Sequence, residues 1–92
     1  MIKSFKHKGL RKFHETGSTA GIQGKHRKKL RMQLTALETA TCIEDMDLPG
    51  YRLHPLKGDK KDFWAIDVDK NWRMIFMFEN GNAYLVDYED YH

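Results

Sequence analysis

The rhythm of apolar and polar positions changes once along the chain, from a period near 3.6 to a period of two. Ile2 to Phe5 starts extended. From Lys8 to Glu15 (KGLRKFHE), Leu10 and Phe13 fall on one side of a short helix that stops near Gly17. Gly17 to Gly21 (GSTAG) reads as a loop. From about Gln23 to Thr41 the pattern is helical again: Leu30, Leu34 and Leu37 recur at i, i+4 and i+7, with Ala40 adjoining. Cys42 to Leu48 is a turn of helix or a loop in which Ile43 and Met46 pack, and Pro49-Gly50 is a turn.

Beyond that turn the pattern predicts β-structure. Arg52 to Leu56 is a short strand, and Pro55, which has no N–H for a ladder, ends it or puts it at an edge. Gly58 to Asp62 is a polar connection. Trp64, Ile66 and Val68 alternate with Ala65 and Asp67, as a half-buried strand should, and Asp69-Lys70-Asn71 is a turn. Trp72 to Phe78 (WRMIFMF) is almost wholly apolar and suits a central strand covered on both faces. Asn80-Gly81 is the strongest hairpin signal, and Ala83 to Tyr88 returns from it. The order predicts an α+β fold: an N-terminal strand and two helices packed on one face of a mostly antiparallel sheet of four to five strands. No element remains for the other face, so that face is the place to look for a site.

Composition narrows the class. Ninety-two residues, 40% apolar, make one domain spanning 1–92. Such a chain buries roughly 60–70% of its unfolded surface, which allows one thin core. No apolar run approaches the roughly 20 residues that span a bilayer. The start, MIKSFKHKG, has no signal-peptide apolar stretch. A cytoplasmic protein with no membrane partner is therefore expected. The single cysteine, Cys42, excludes an intrachain disulfide and any multi-cysteine metal site.

Charge is divided unevenly. Residues 1–31 carry ten Lys/Arg against one acid, Glu15, whereas residues 32–92 carry six against twelve. A basic front end suits an anionic partner such as nucleic acid, although a solvated helical face has the same composition. Lys8, Lys12, Lys25, Arg27, Lys28 and Lys29 are its candidate contacts. The last four surround a helix start, where the macrodipole favours acids, a local cost that hints at another requirement.

The glycines match no nucleotide-binding fingerprint, and neither Ser4 nor Ser18 sits in a nucleophile elbow. Two clusters remain: Leu53-His54-Pro55-Leu56-Lys57-Gly58, and the closing Asp87-Tyr88-Glu89-Asp90-Tyr91-His92. The second holds a carboxylate, a phenol and an imidazole in succession, and strand alternation puts Asp90 and His92 opposite Tyr91. His92 titrates near neutrality and can move a proton either way. Arg73 interrupts the most apolar strand; it pairs with a sheet neighbour such as Asp67 or projects from the bare face towards an anion. Asp90, His92 and His54 are also chemically suited to a divalent metal, but without a diagnostic spacing. No metal or other cofactor is expected.

From Leu53 onward the chain resembles the C-terminal half of HigB toxins, within the RelE-type superfamily of bacterial toxins. The motifs that carry the resemblance are Leu-x-x-Leu-Lys-Gly from Leu53 to Gly58, Trp64-Ala-Ile, Trp72-Arg73-Met-Ile-Phe, Asn80-Gly81 and the closing Asp90-Tyr91-His92. Asp62 departs from the glycine often found there in the family. The resemblance implies a type II toxin that cuts mRNA in the A site of the 70S ribosome and touches small-subunit rRNA. It also implies a helix-turn-helix antitoxin of the HigA type, through which the toxin meets operator DNA only indirectly. The implied chemistry is metal-free. A base takes the proton of a ribose 2′-hydroxyl, the oxygen attacks the adjacent phosphorus, and an acid protonates the leaving 5′-oxygen. Lys57 and Arg73 would offset the charge on the phosphate, with Arg73 as its binding residue. His54, Tyr91 and His92 would carry protons, and Asp90 would orient or tune a histidine. As a base, Tyr91 would need a cation nearby, for which Lys57 is available, because a free phenol titrates near 10. Its ring could instead stack on a nucleobase. The alternative is a non-catalytic module that grips rRNA or DNA through residues 1–31.

Overall fold

The computed structural model describes residues 1–91. Helix α1 spans Lys8–Thr16 and turns Leu10 and Phe13 inward. His7 caps its start, Nδ1 accepting the Leu10 N–H at 2.9 Å. Gly17 ends it at φ 83°, a left-handed conformation that glycine adopts without Cβ strain. Helix α2 spans Arg27–Thr39, shorter than the sequence suggests, because Gly24–His26 forms a separate 3-10 turn before it. Its first turn carries no acid, and His26 at its N-cap makes no capping bond. Basic residues there cost about 0.3–1 kcal/mol each. Burying Leu30, Leu34 and Leu37 contributes about 1.5–3 kcal/mol apiece, so packing decides the helix. The segment after it holds a 3-10 turn, Ile43–Met46, with Met46 fully buried.

Four strands follow: β1 His54–Pro55, β2 Phe63–Asp67, β3 Trp72–Glu79 and β4 Asn82–Asp90. They form an antiparallel meander in the order β1-β2-β3-β4. Pro55 lies at the sheet edge, as its missing donor requires. The Asn80-Gly81 turn has φ of 53° and 79°, the two positive values a tight hairpin needs. The N-terminal segment lies along β4 in parallel, through bridges from Ile2 to Ala83 and from Phe5 to Val86. It extends the sheet without becoming a full strand.

Both helices pack against one face, where Ile66, Val68, Met74, Phe76, Ala83, Val86 and Tyr88 join the leucines in one core. Ala83 and Val86 cannot share a face under strict alternation. A bulge resolves this: the β3–β4 register slips by one residue between Ile75 and Met77, and Leu85 takes φ 52°. The bulge turns Glu89, level with Arg73, and then Tyr91 towards the face away from the helices.

That second face is not bare, contrary to the sequence expectation. Ala65 and Ile75 lie on it and are 0% and 1% exposed. The connection from β1 to β2, with its 3-10 turn Gly58–Lys60, folds over the sheet far enough for Lys60 to pair with Glu89 on β4. Among the described residues no helix is long and apolar enough to cross a membrane.

Candidate active site

Leu56, Lys57, Asp59, Lys60 and Arg73 line an open groove of about 420 Å³ over this second face. Arg73 comes from the middle of the sheet and the others from the β1–β2 connection. Arg73 does not pair with Asp67, its register partner on β2. Its Nε and Nη2 donate to Oε2 of Glu89, its partner on β4, at 2.9 and 2.8 Å. Asp67 takes the exposed Arg52 at 3.4 Å instead. Lys60 Nζ reaches the other oxygen of Glu89 at 3.4 Å. Burial would push the Glu89 carboxyl up, but the hydrogen bond and charge of Arg73, then the charge of Lys60, hold it below its ordinary range.

Tyr91 lies beneath the same guanidinium, with the Arg73 Cζ 4.8 Å from its ring centroid. The cation seen against this ring is Arg73. Tyr91 remains 41% exposed, so a substrate can reach it. Lys57 lies on the exposed rim, immediately before the 3-10 turn. His54 starts β1 three residues earlier, and its Nδ1 is hydrogen-bonded to the Arg52 carbonyl at 2.7 Å. If that nitrogen carries the proton, Nε2 is the basic one. Asp90 is exposed, level with Trp72 and on the strand face opposite Glu89. His92 lies outside the described residues. The site thus brings together Arg73, Tyr91 and the rim carrying Lys57, and adds Lys60 and Glu89, which the sequence did not single out. Among the described residues, no group of three or more His, Cys, Asp or Glu side chains could hold a metal ion. The set considered from sequence includes His92 and falls partly outside them.

A second cluster escaped the sequence. His26 is 4% exposed. Its Nε2 meets Asp69 Oδ2 at 2.6 Å and its Nδ1 meets the Tyr88 hydroxyl at 2.5 Å. Trp72 and Tyr88 stand edge-on to the ring. The hydrogen bond from His26 is the main reason the Asp69 carboxyl is lowered to about 2. This anchor ties the start of α2 to the sheet and so places the basic face. Lys25, Arg27 and Lys28 there are exposed, as are Lys8 and Lys12 on α1. They form no ion pair among the described residues. Lys29 instead lies over the Tyr51 ring at 5.6 Å.

Two helices on one face of a four-stranded meander, with a cationic groove on the other, define the class: the RelE-like toxin fold. A mutant of YafQ from E. coli superposes with a TM-score of 0.62 at 18% identity, covering 98% of this chain and 91% of that one. The chain belongs to the HigB-like toxin family, described as RelE-like toxins of type II toxin–antitoxin systems, whose profile matches residues 3–92. It is 49% identical over 92 residues to a Proteus vulgaris protein named Endoribonuclease HigB, covering 100% of both chains. It is 33% identical over 90 residues to Toxin HigB-1 of Vibrio cholerae, covering 92% of this chain and 95% of that one. A toxin of this type has an antitoxin as its partner.

Proposed function

We infer that this toxin is an endoribonuclease whose substrate is mRNA held in the A site of a translating 70S ribosome. The observation that carries the reading is the stack of Arg73 on Tyr91 in a groove that also holds Lys57 and Lys60. A phosphate entering that groove meets Lys57, Lys60 and Arg73, with the exposed Asp59 also on the lining and Tyr91 against the guanidinium. Arg73 binds the scissile phosphate, and Lys57 offsets the charge that builds on it during attack by the neighbouring 2′-hydroxyl. Tyr91, His54 and His92 carry the two protons, and Asp90 orients a histidine. No metal takes part. The groove is open and shallow, so the ribosome supplies the orientation that a deeper pocket would give; positioning of this kind is a large part of rate enhancement. Lys8, Lys12, Lys25, Arg27, Lys28 and Lys29 bind small-subunit rRNA by charge. The antitoxin is a helix-turn-helix protein of the HigA type, which alone reads operator DNA, and the protein works as one domain in the cytoplasm.

The test is to add the full chain to ribosomes translating a defined message and map the ends produced. Cleavage in the A site leaving a 2′,3′-cyclic phosphate, lost in Arg73→Ala and Tyr91→Ala, is the expected result. An intact message would overturn the reading. Salt-sensitive ribosome binding without cleavage would make the chain a binding module. Ends bearing a 5′-phosphate would replace 2′-hydroxyl attack with attack by water.

A further inference from the structure

Glu89 has no part in the chemistry described so far, yet it binds two of the groove's cations. One carboxylate oxygen takes Nε and Nη2 of Arg73, the other takes Lys60. The pair with Arg73 is set by backbone register, because the two residues face each other across the β3–β4 ladder. Arginine has five N–H donors in a rigid fork. Glu89 engages one edge of that fork, Tyr91 lies under its plane, and the remaining N–H groups stay on the guanidinium for an incoming acceptor. Lys60 belongs to the short turn that begins directly after Lys57. The Lys60–Glu89 pair therefore ties the segment carrying Lys57 to the sheet. Arg73 and Glu89 are each about three-quarters covered (20% and 26% exposed), so their pair is less screened than a surface ion pair.

We propose that Glu89 is the positioning residue of the phosphate site, holding the Arg73 guanidinium over Tyr91 and fastening the Lys57–Lys60 segment across the sheet before RNA arrives. The proposal rests on the reading of Arg73 as the phosphate-binding residue. Preset cations need not reorganise as charge develops, which is where electrostatic catalysis gains its effect. An opposite role has the same contacts: a carboxylate on two cations can be a competitor that RNA must displace. The side-on geometry favours positioning, because it leaves the outer part of the fork for phosphate.

The two roles predict opposite results. Single-turnover cleavage of ribosome-bound message is measured for the wild type, Glu89→Ala, Glu89→Gln, Arg73→Ala and the double variant Arg73→Ala/Glu89→Ala. Urea unfolding and amide spectra check that each variant is folded. Positioning predicts that Glu89→Ala slows the chemical step by about 100-fold, a typical cost of misplacing a catalytic group. Half-saturating toxin concentration should change less than threefold. Glu89→Gln, which keeps an acceptor oxygen for Arg73, should recover about tenfold or more of the loss, and the double variant should be slower than Arg73→Ala by far less than the full Glu89→Ala loss, since only the Lys60 arm is left to lose. Faster cleavage or tighter binding by Glu89→Gln would make Glu89 a competitor and overturn the proposal. So would losses that multiply in the double variant. A slow Arg73→Ala beside a wild-type Glu89→Ala overturns this proposal alone, whereas wild-type cleavage by Arg73→Ala removes the reading on which it rests. If Glu89→Ala is unfolded, the isosteric Glu89→Gln decides: positioning requires it to slow cleavage without loosening ribosome binding, and cleavage at the wild-type rate or faster overturns the proposal.

Discussion

Replacing His26 with alanine tests how the start of α2 is held to the sheet. In the folded chain the imidazole bridges Asp69 on the β2–β3 turn and the Tyr88 hydroxyl on β4, at 2.6 and 2.5 Å. A hydrogen bond to a charged group contributes about 1.5–3 kcal/mol and one between neutral groups about 1. Asp69 is one-third exposed, which places the first value at the low end. His26→Ala also leaves a void beside Trp72 and removes the principal acceptor for a tyrosine hydroxyl that burial has already made reluctant to ionise. The total is about 3 kcal/mol. A domain of this size shifts its midpoint by about 4–8 °C per kcal/mol, so Tm should fall by about 12–24 °C. Urea unfolding with an unchanged slope measures the same loss, and amide exchange should rise most across residues 24–31, where the anchor begins α2. A double-mutant cycle with Asp69→Asn should give a coupling of at least about 1 kcal/mol. A loss below about 1 kcal/mol for His26→Ala, or additive effects in the cycle, would refute the anchor.

The same anchor has a pH signature. Asp69 is held at about 2 against 3.8, so its stabilising effect is complete above about pH 4 and is lost as pH falls towards 2. With screening of its partly exposed carboxylate, that limb amounts to about 1 kcal/mol and should be much reduced in His26→Ala when unfolding is followed against pH, the remainder coming from the Asn71 and Trp72 N–H groups that also bind Asp69. Gly9→Ala should destabilise although Gly9 lies inside α1, where alanine ordinarily gains about 1 kcal/mol. A Cβ there would meet the Gly21 carbonyl oxygen at 2.4 Å, and backbone cannot give way as a side chain can. A net loss of about 1–2 kcal/mol in urea is expected, and a gain would show that the loop packs elsewhere. Changing Lys25, Arg27 and Lys28 together to Gln should move binding and stability in opposite directions. The slope of log affinity for ribosomes against log salt should flatten by about 2–3. Relief of repulsion at the α2 start should stabilise the fold by about 1–2 kcal/mol. Weaker binding without the stability gain would mean that the charges carry no local cost.

The elements were legible where the signal is local. Leu30, Leu34 and Leu37 mark α2 because burial at helical spacing outweighs its basic first turn. Pro55 marks an edge because it lacks a donor, and Asn80-Gly81 marks a hairpin because both residues tolerate positive φ. The segment from Gly58 to Asp62 was legible only as polar: that it folds across the sheet, bringing Lys60 to a carboxylate 29 residues away, is a long-range outcome. His26 was invisible for the same reason. Among exposed lysines and arginines it reads as another basic residue, and only the distant Asp69 and Tyr88 turn it inward.

Register explains why the partner of Arg73 could not be read in advance. A two-residue turn at Asn80-Gly81 pairs Glu79 with Asn82. Counting back from that pair without interruption sets Arg73 opposite Tyr88 and would expose a core aromatic to the groove. The bulge at Leu85 adds one residue to β4, so Tyr88 keeps its place beside His26 while Glu89 meets Arg73. Nothing in the local sequence announces the bulge, since leucine is among the residues least suited to positive φ. What selects it is the sum of distant demands: Ala83 and Val86 must both face the helices, and Ser4 stands ready to accept the Leu85 N–H at 2.9 Å. The residue types of the groove are therefore written in the sequence, but their pairing is set by the packing of the opposite face.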